Sequence, residues 1–123
     1  MALKDLVVDT KEIEEEALEA VVKPYFKYDS SGDILFVNRE FWKLPGDRKV
    51  ALVLTATLGR KFLGLPGAET SLTNAEIGKK LNMNESSLRV YLSQLRKNGS
   101  VVTEKGRHVI TTQGIHNLIE EEK

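Results

Sequence analysis

The segment "NESSLRVYLSQLRKNG", Asn84 to Gly99, sorts its residues cleanly when wound at 100° per residue. Leu88, Tyr91, Leu92 and Leu95 gather on one side, while Ser86, Val90, Ser93 and Lys97 lie directly opposite. Arg89 and Arg96 flank one edge of that second face, Ser87 and Gln94 the other. The chemistry open to such a face is recognition. An arginine presents a planar fork of N–H donors, a serine hydroxyl donates or accepts, and a valine can meet a methyl group. Signatures of bond-making are absent: the chain has no G-x-S-x-G, no P-loop, no G-x-G-x-x-G and no histidine beside an obvious nucleophile. The expectation is a protein that is not an enzyme. His116 and Glu120 stand i, i+4, a spacing that can place two metal ligands on one helical face. Two ligands in an acidic terminal stretch fit a solvated helix end better, so neither metal nor cofactor is expected. His108 reads as a surface or phosphate-facing residue.

The elements that must hold this face are marked by strong local signals. Asn84 caps the segment, with Met83 and Leu88 placed as a hydrophobic staple, and Gly99 ends it where a left-handed backbone suits glycine. Just upstream, "LTNAEIGKKL" carries the capping box Thr73-x-x-Glu76, with Leu72 and Ile77 as its staple and Ile77 and Leu81 facing inward. "NMN" separates the two helices by a short turn. Downstream, Val101–Val102 and Val109–Ile110 are strand cores around a Glu104-Lys105-Gly106-Arg107 turn, and "QGIHNLIEEEK" spaces Ile115, Leu118 and Ile119 as a closing helix.

Before these, "DTKEIEEEALEAVVKP" reads as a first helix, capped by Asp9 with Glu12 completing a capping box, and stopped before Pro24. Ile13, Ala17, Ala20 and Val21 form its apolar face; Glu12, Glu15, Glu16 and Glu19 form an acidic, solvated one. "PYFKY" and "ILFVN" around "DSSGD" are a hairpin, whose context places Tyr25-Phe26 and Phe41-Trp42 in core packing. Asp47 is the expected cap of a second helix, Arg48 to about Gly64, which is apolar nearly all round and should be central. "LPGAETS" is a loop broken at Pro66-Gly67. The fold class is therefore mostly α with small β-hairpins (α+β).

The bulk composition is that of one domain with an appendage: 123 residues, 41% hydrophobic, 29% charged and without cysteine. No apolar run reaches membrane-spanning length and the first residues lack the pattern of a signal peptide, so a cytoplasmic, non-membrane protein is expected. The formal net charge of zero conceals a gradient. Residues 1–35 carry four lysines against nine acids, residues 36–72 six cations against three acids, and residues 73–115 seven against three. Residues 116–123 carry one lysine against three glutamates. A basic middle lies between acidic ends.

From Asp47 onward, helix, helix-turn-helix, hairpin and helix in this order resemble a winged helix-turn-helix domain of the small prokaryotic transcription-regulator type. "AEIGKKLNMNESSLRVYLSQLRKNGSVV" is similar to that family's first helix, turn, recognition helix and glycine before the wing, and "GRHVITTQGI" to its second wing strand and closing helix. Gly78 stands where the family most often has alanine. The resemblance implies a domain over residues 47–123 with residues 1–46 as a helix-and-hairpin extension. It implies binding of double-stranded DNA, sequence-specific or semi-specific, with helix 85–98 in the major groove and wing 101–111 on the backbone. Ser86, Ser87, Arg89, Val90 and Ser93 are then candidates for base edges. Thr73, Lys79, Lys80, Arg96, Lys97, Lys105 and Arg107 are candidates for phosphates. Helices 10–22 and 113–122 are the surfaces offered for a homodimer, or else they cover helix 48–64 within one chain. The alternative is a winged-helix protein–protein interaction module in a transcription or replication assembly, since fold does not fix function. An effector-responsive regulator would need a pocket.

Overall fold

A computed structural model describes residues 10–64 and 70–121, with all of their side chains except those of residues 10–14 and 62. Asp9 and the Pro66-Gly67 breaker lie outside the described residues, and the side chains of Glu12 and Ile13 outside the described side chains. The chain is an α+β domain, mostly helical, with two small antiparallel sheets.

Its centre is α2 (Gly46–Leu63). Every residue from Val50 to Thr57 is 2% exposed or less. Two threonines are tolerated in this stretch because their hydroxyls donate to backbone carbonyls one turn back, Thr55 Oγ1 to Ala51 O and Thr57 Oγ1 to Val53 O, both at 2.8 Å. The helix starts at Gly46, with Pro45 at the N-cap and no side-chain cap. Asp47 therefore does not cap α2 as the sequence indicated. It lies inside the first turn, where its charge still complements the helix dipole. The early start has a steric reason: a Cβ at position 46 would stand 2.2 Å from the Tyr91 ring, so glycine lets α2 begin beneath that side chain. Gly64, left-handed at φ 65°, ends the helix.

Around α2 pack α1 (Thr10–Val22), α3 (Asn74–Leu81), α4 (Glu85–Lys97), α5 (Thr112–Glu121) and the second sheet. Helix α1 lies against both α2 and α5, and Leu18, Val21, Val22, Ile115 and Leu118 are buried there. Leu18, Val21, Ile115 and Leu118 are thus covered within one chain, whereas Ala20 stays exposed and Ile119 half-buried. The first sheet is a hairpin of β1 (Phe26–Tyr28) and β2 (Ile34–Phe36). Asp29 shapes its turn by accepting from Ser31 N, Ser31 Oγ and Asp33 N. Phe26, Phe36, Phe41 and Trp42 form an aromatic cluster with neighbouring centroids 5.0–5.3 Å apart. Phe41 is fully buried and Trp42 half-exposed, on a 3-10 turn over Arg39–Lys43.

The second sheet contains a strand that the sequence did not announce. Beyond β4 (Val101–Glu104) and β5 (Arg107–Ile110), β3 (Leu72–Thr73) pairs antiparallel with β5, giving the order β3-β5-β4. Two residues are too few to show alternation, and both already served as staple and cap of α3.

Helix α5 crosses the start of β4 so closely that a Cβ at Gly114 would lie 2.5 Å from Ser100 O and 3.0 Å from Ser100 Cα. Backbone cannot yield as a side chain can. Gly114→Ala should therefore destabilise the domain by about 1–3 kcal/mol despite alanine's better helix propensity. Chemical denaturation, compared with the exposed Gly106→Asn in the hairpin turn, measures it; an unchanged midpoint would contradict this packing.

Candidate nucleic-acid interface

Helices α3 and α4 present the sequence-derived face because their ends are tightly fixed. Thr73 Oγ1 accepts from Glu76 N and Glu76 Oε1 accepts from Thr73 N, so the capping box is complete. The Thr73 amide holds the Glu76 carboxylate below the usual range. Asn82, left-handed at φ 52°, closes α3, and Asn84 Oδ1 caps α4 by accepting from Ser87 N at 2.8 Å. At the far end Ser100 N donates to Leu95 O and Gly99 N to Arg96 O, a Schellman closure with Gly99 at φ 79°. At Gly78 a Cβ would lie 3.1 Å from Met83 O, so the carbonyl of the turn presses on this position.

The inward face of α4 is as expected, with Leu88, Leu92 and Leu95 buried and Tyr91 half-buried over Gly46. On the outward face Ser86, Arg89, Val90 and Lys97 are exposed, while Ser87 and Ser93 are half-buried. Ser86 Oγ donates to Asn84 Oδ1, which leaves its oxygen as an acceptor. Arg89 Nη2 pairs with Glu85 Oε1 at 3.0 Å. Val90 is 53% exposed. These residues form one stripe along the helix.

The candidates for phosphates are more scattered. Lys79 is exposed and Lys80 half-buried on α3. Thr73 spends its hydroxyl on the α3 cap. Arg96 turns toward the hairpin, Nη1 donating to Thr103 Oγ1 at 3.3 Å. Lys105 sits exposed at the hairpin tip, where Lys105 and Gly106 at φ 52° and 76° make the two-residue reversal. Arg107 is held by the fold: Nε donates to Ser71 Oγ at 2.9 Å and Nη2 to Ser71 O at 3.0 Å, with Glu76 Oε1 3.4 Å away. It fastens β5 to the chain entering β3 and to α3.

His108 departs from the sequence reading. It is not on the surface but 4% exposed, on the inward face of β5 with Ile110. Strand alternation carries the signal, since residues 108 and 110 share a face. Its Nε2 lies on Asn74 Oδ1, an acceptor, and its Nδ1 is 2.7 Å from Thr103 Oγ1. The proton therefore sits on Nε2, and Thr103 donates to Nδ1 while accepting from Arg96. A polar chain thus runs from α4 through β4 and β5 to the start of α3. Asn74, Thr103 and Ser71 were not singled out in the sequence; only the β5 alternation pointed toward them.

Elsewhere, an open apolar cleft of about 240 Å³ lies between α1, β1 and α2, lined by Leu18, Val22, Phe26, Tyr28 and Leu63. Burial pushes the Tyr28 hydroxyl up to about 12, opposed by Arg60, and that hydroxyl donates to Ala56 O at 2.7 Å. Among the described residues no helix is long and apolar enough to cross a membrane. Compared with known proteins, the chain matches no family model, no curated protein and no solved structure.

Burial, and secondarily the Arg96 charge, hold the His108 imidazole below its ordinary value of about 6.5. The unfolded chain then takes up this proton at a higher pH than the folded one. The contribution to stability is complete above about pH 6.5 and is lost as pH falls through the lower folded value. Glu76 and Asp29, both lowered, lose theirs only below the ordinary carboxylate range. Urea unfolding should show stability dropping as pH falls below about 6.5, and His108→Gln should flatten that slope whatever its effect at neutral pH. An undiminished slope in His108→Gln would assign it elsewhere.

Proposed function

We propose that this protein is a small, non-catalytic, cytoplasmic transcription regulator that binds double-stranded DNA through a winged helix-turn-helix. The observation that carries the reading is the exposed stripe Ser86, Arg89, Val90 and Lys97 on a helix fixed at both ends by its caps. Support comes also from the order of elements: helix, strand, two capped helices and two strands, with the short strand β3 on the outer edge of β5. In this reading α4 enters the major groove, with Ser86, Ser87, Arg89, Val90 and Ser93 toward base edges. Lys79, Lys80, Arg96, Lys97 and Lys105 meet phosphates beside it, and the hairpin tip follows the backbone. Arg107 then serves chiefly to hold the hairpin, and Thr73 contributes through its helix end. Glu15, Glu16 and Glu19 of α1 are exposed to solvent. One copy suffices for this interface; a second copy on an adjacent half-site would register as stoichiometry.

Fluorescence anisotropy of a labelled random-sequence duplex, titrated at several salt concentrations, tests the reading. About four to six phosphate contacts give log K falling with log salt at a slope near −4 to −5. Lys97→Ala should make that slope shallower by about 1, and Arg89→Ala should weaken binding without altering the circular dichroism of either variant. A folded sample that binds no duplex even at low salt would give the stripe to a protein partner instead.

A further inference from the structure

The ion pair at the start of α4 does modest structural work: Glu85 complements the N-terminal end of the helix and pairs with Arg89 one turn on. Glu85 and Arg89 stand one turn apart with side chains 63% and 70% exposed, and such pairs add only about 0.3–0.5 kcal/mol to a helix. A carboxylate is also an unwelcome charge where phosphates are to approach. The pair also presents a set of outward hydrogen-bonding groups. Arg89 gives one Nη2–H to Glu85 Oε1 and keeps the remaining N–H donors of its fork. Glu85 keeps the lone pairs of Oε2, and an ionised carboxylate can only accept. Side by side the unit offers donor, donor, acceptor.

We propose that Glu85 and Arg89 read one G·C base pair as a single unit, an inference that rests on the DNA-binding reading above. In the major groove a G·C pair shows N7 and O6 as acceptors and the cytosine N4 amino group as donor, in that order. Arg89 takes N7 and O6, and Glu85 takes the N4 hydrogen while still bracing Arg89. An A·T pair shows acceptor, donor, acceptor and a methyl group, and a reversed C·G pair shows the pattern backwards. Both leave Glu85 against an acceptor or Arg89 against a donor. Glu85 thus contributes selectivity and costs affinity: its charge opposes the phosphates of every duplex alike.

The test begins by selecting preferred duplexes from a random pool with the full chain. A position dominated by G·C is then replaced, in turn, by a pair carrying 7-deazaguanine, which lacks N7, and by one carrying pyrimidin-2-one, which lacks the N4 amino group. The wild-type protein should lose roughly five-fold or more with each replacement. Glu85→Ala should be indifferent to the missing amino group and bind random duplex more tightly than wild type. Arg89→Ala should be indifferent to the missing N7. Circular dichroism checks that both variants stay helical, and Glu85→Gln, which keeps an acceptor, should retain part of the sensitivity to the amino group. If the wild type binds DNA but selects no such pair, or if Glu85→Ala loses affinity equally on all duplexes, this proposal fails and the DNA-binding reading stands. No binding to any duplex removes both.

Discussion

A helix whose middle has no solvent-facing side is the constraint from which the rest of this structure follows. Eight consecutive residues of α2, Val50 to Thr57, are at most 2% exposed, so apolar surface must be supplied from every direction. A two-layer arrangement of helices cannot do this. The chain encloses α2 with α1, α4 and α5 and with strand β5, and recruits residues before Asp47 to complete the wall. Leu18, Val21 and Val22 of α1 belong to the same buried cluster as Leu88 and Leu92 of α4. The helix-and-hairpin extension is thus part of the core, and the acidic face of α1 is the outer surface of that enclosure.

Enclosure also decides what is left outside. Helix α4 devotes Leu88, Leu92 and Leu95 to α2 and its surroundings, and the side opposite has nothing left to pack against. Ser86, Val90 and the exposed cations are displayed because the other side is committed. The amphipathic division is the cause of the display and the caps are the cause of its rigidity. Together they convert a solvated helix back into a surface with a defined shape.

Most local rules, the Asp47 cap excepted, were legible in the sequence because a side chain there acts on its own neighbourhood. The capping box at Thr73 and Glu76, the Asn84 cap, the Gly99 closure and the Asp29 turn depend on residues within a few positions of one another, and each is found where its residues announced it. The inward leucines of α4 and the burial of α2 follow from periodicity in the same way. What was not legible depends on partners far along the chain. Strand β3 exists because β5 offers it an edge, and Gly46 opens α2 because Tyr91, far downstream, occupies the space of its missing side chain. His108 is an intermediate case: alternation gave its face, but the bonds to Asn74 and Thr103 that make its burial tolerable required the assembled sheet. Within the candidate interface, spacing placed the α4 stripe, whereas the engagement of Arg107 by Ser71 and Glu76 arises only from the fold.

Ser100 is a small residue at a crowded junction. Its amide closes α4 on Leu95 O, its carbonyl accepts from Thr111 at the foot of β5 and abuts Gly114, and its hydroxyl accepts from Asn117 of α5. Helix α4, the hairpin and α5 are therefore tied together at one residue. If α4 and the hairpin tip together hold a duplex, as proposed above, a junction tied through the amide, carbonyl and hydroxyl of one residue shifts the elastic cost of a poor fit toward the duplex, and its stiffness counts beside its chemical surface.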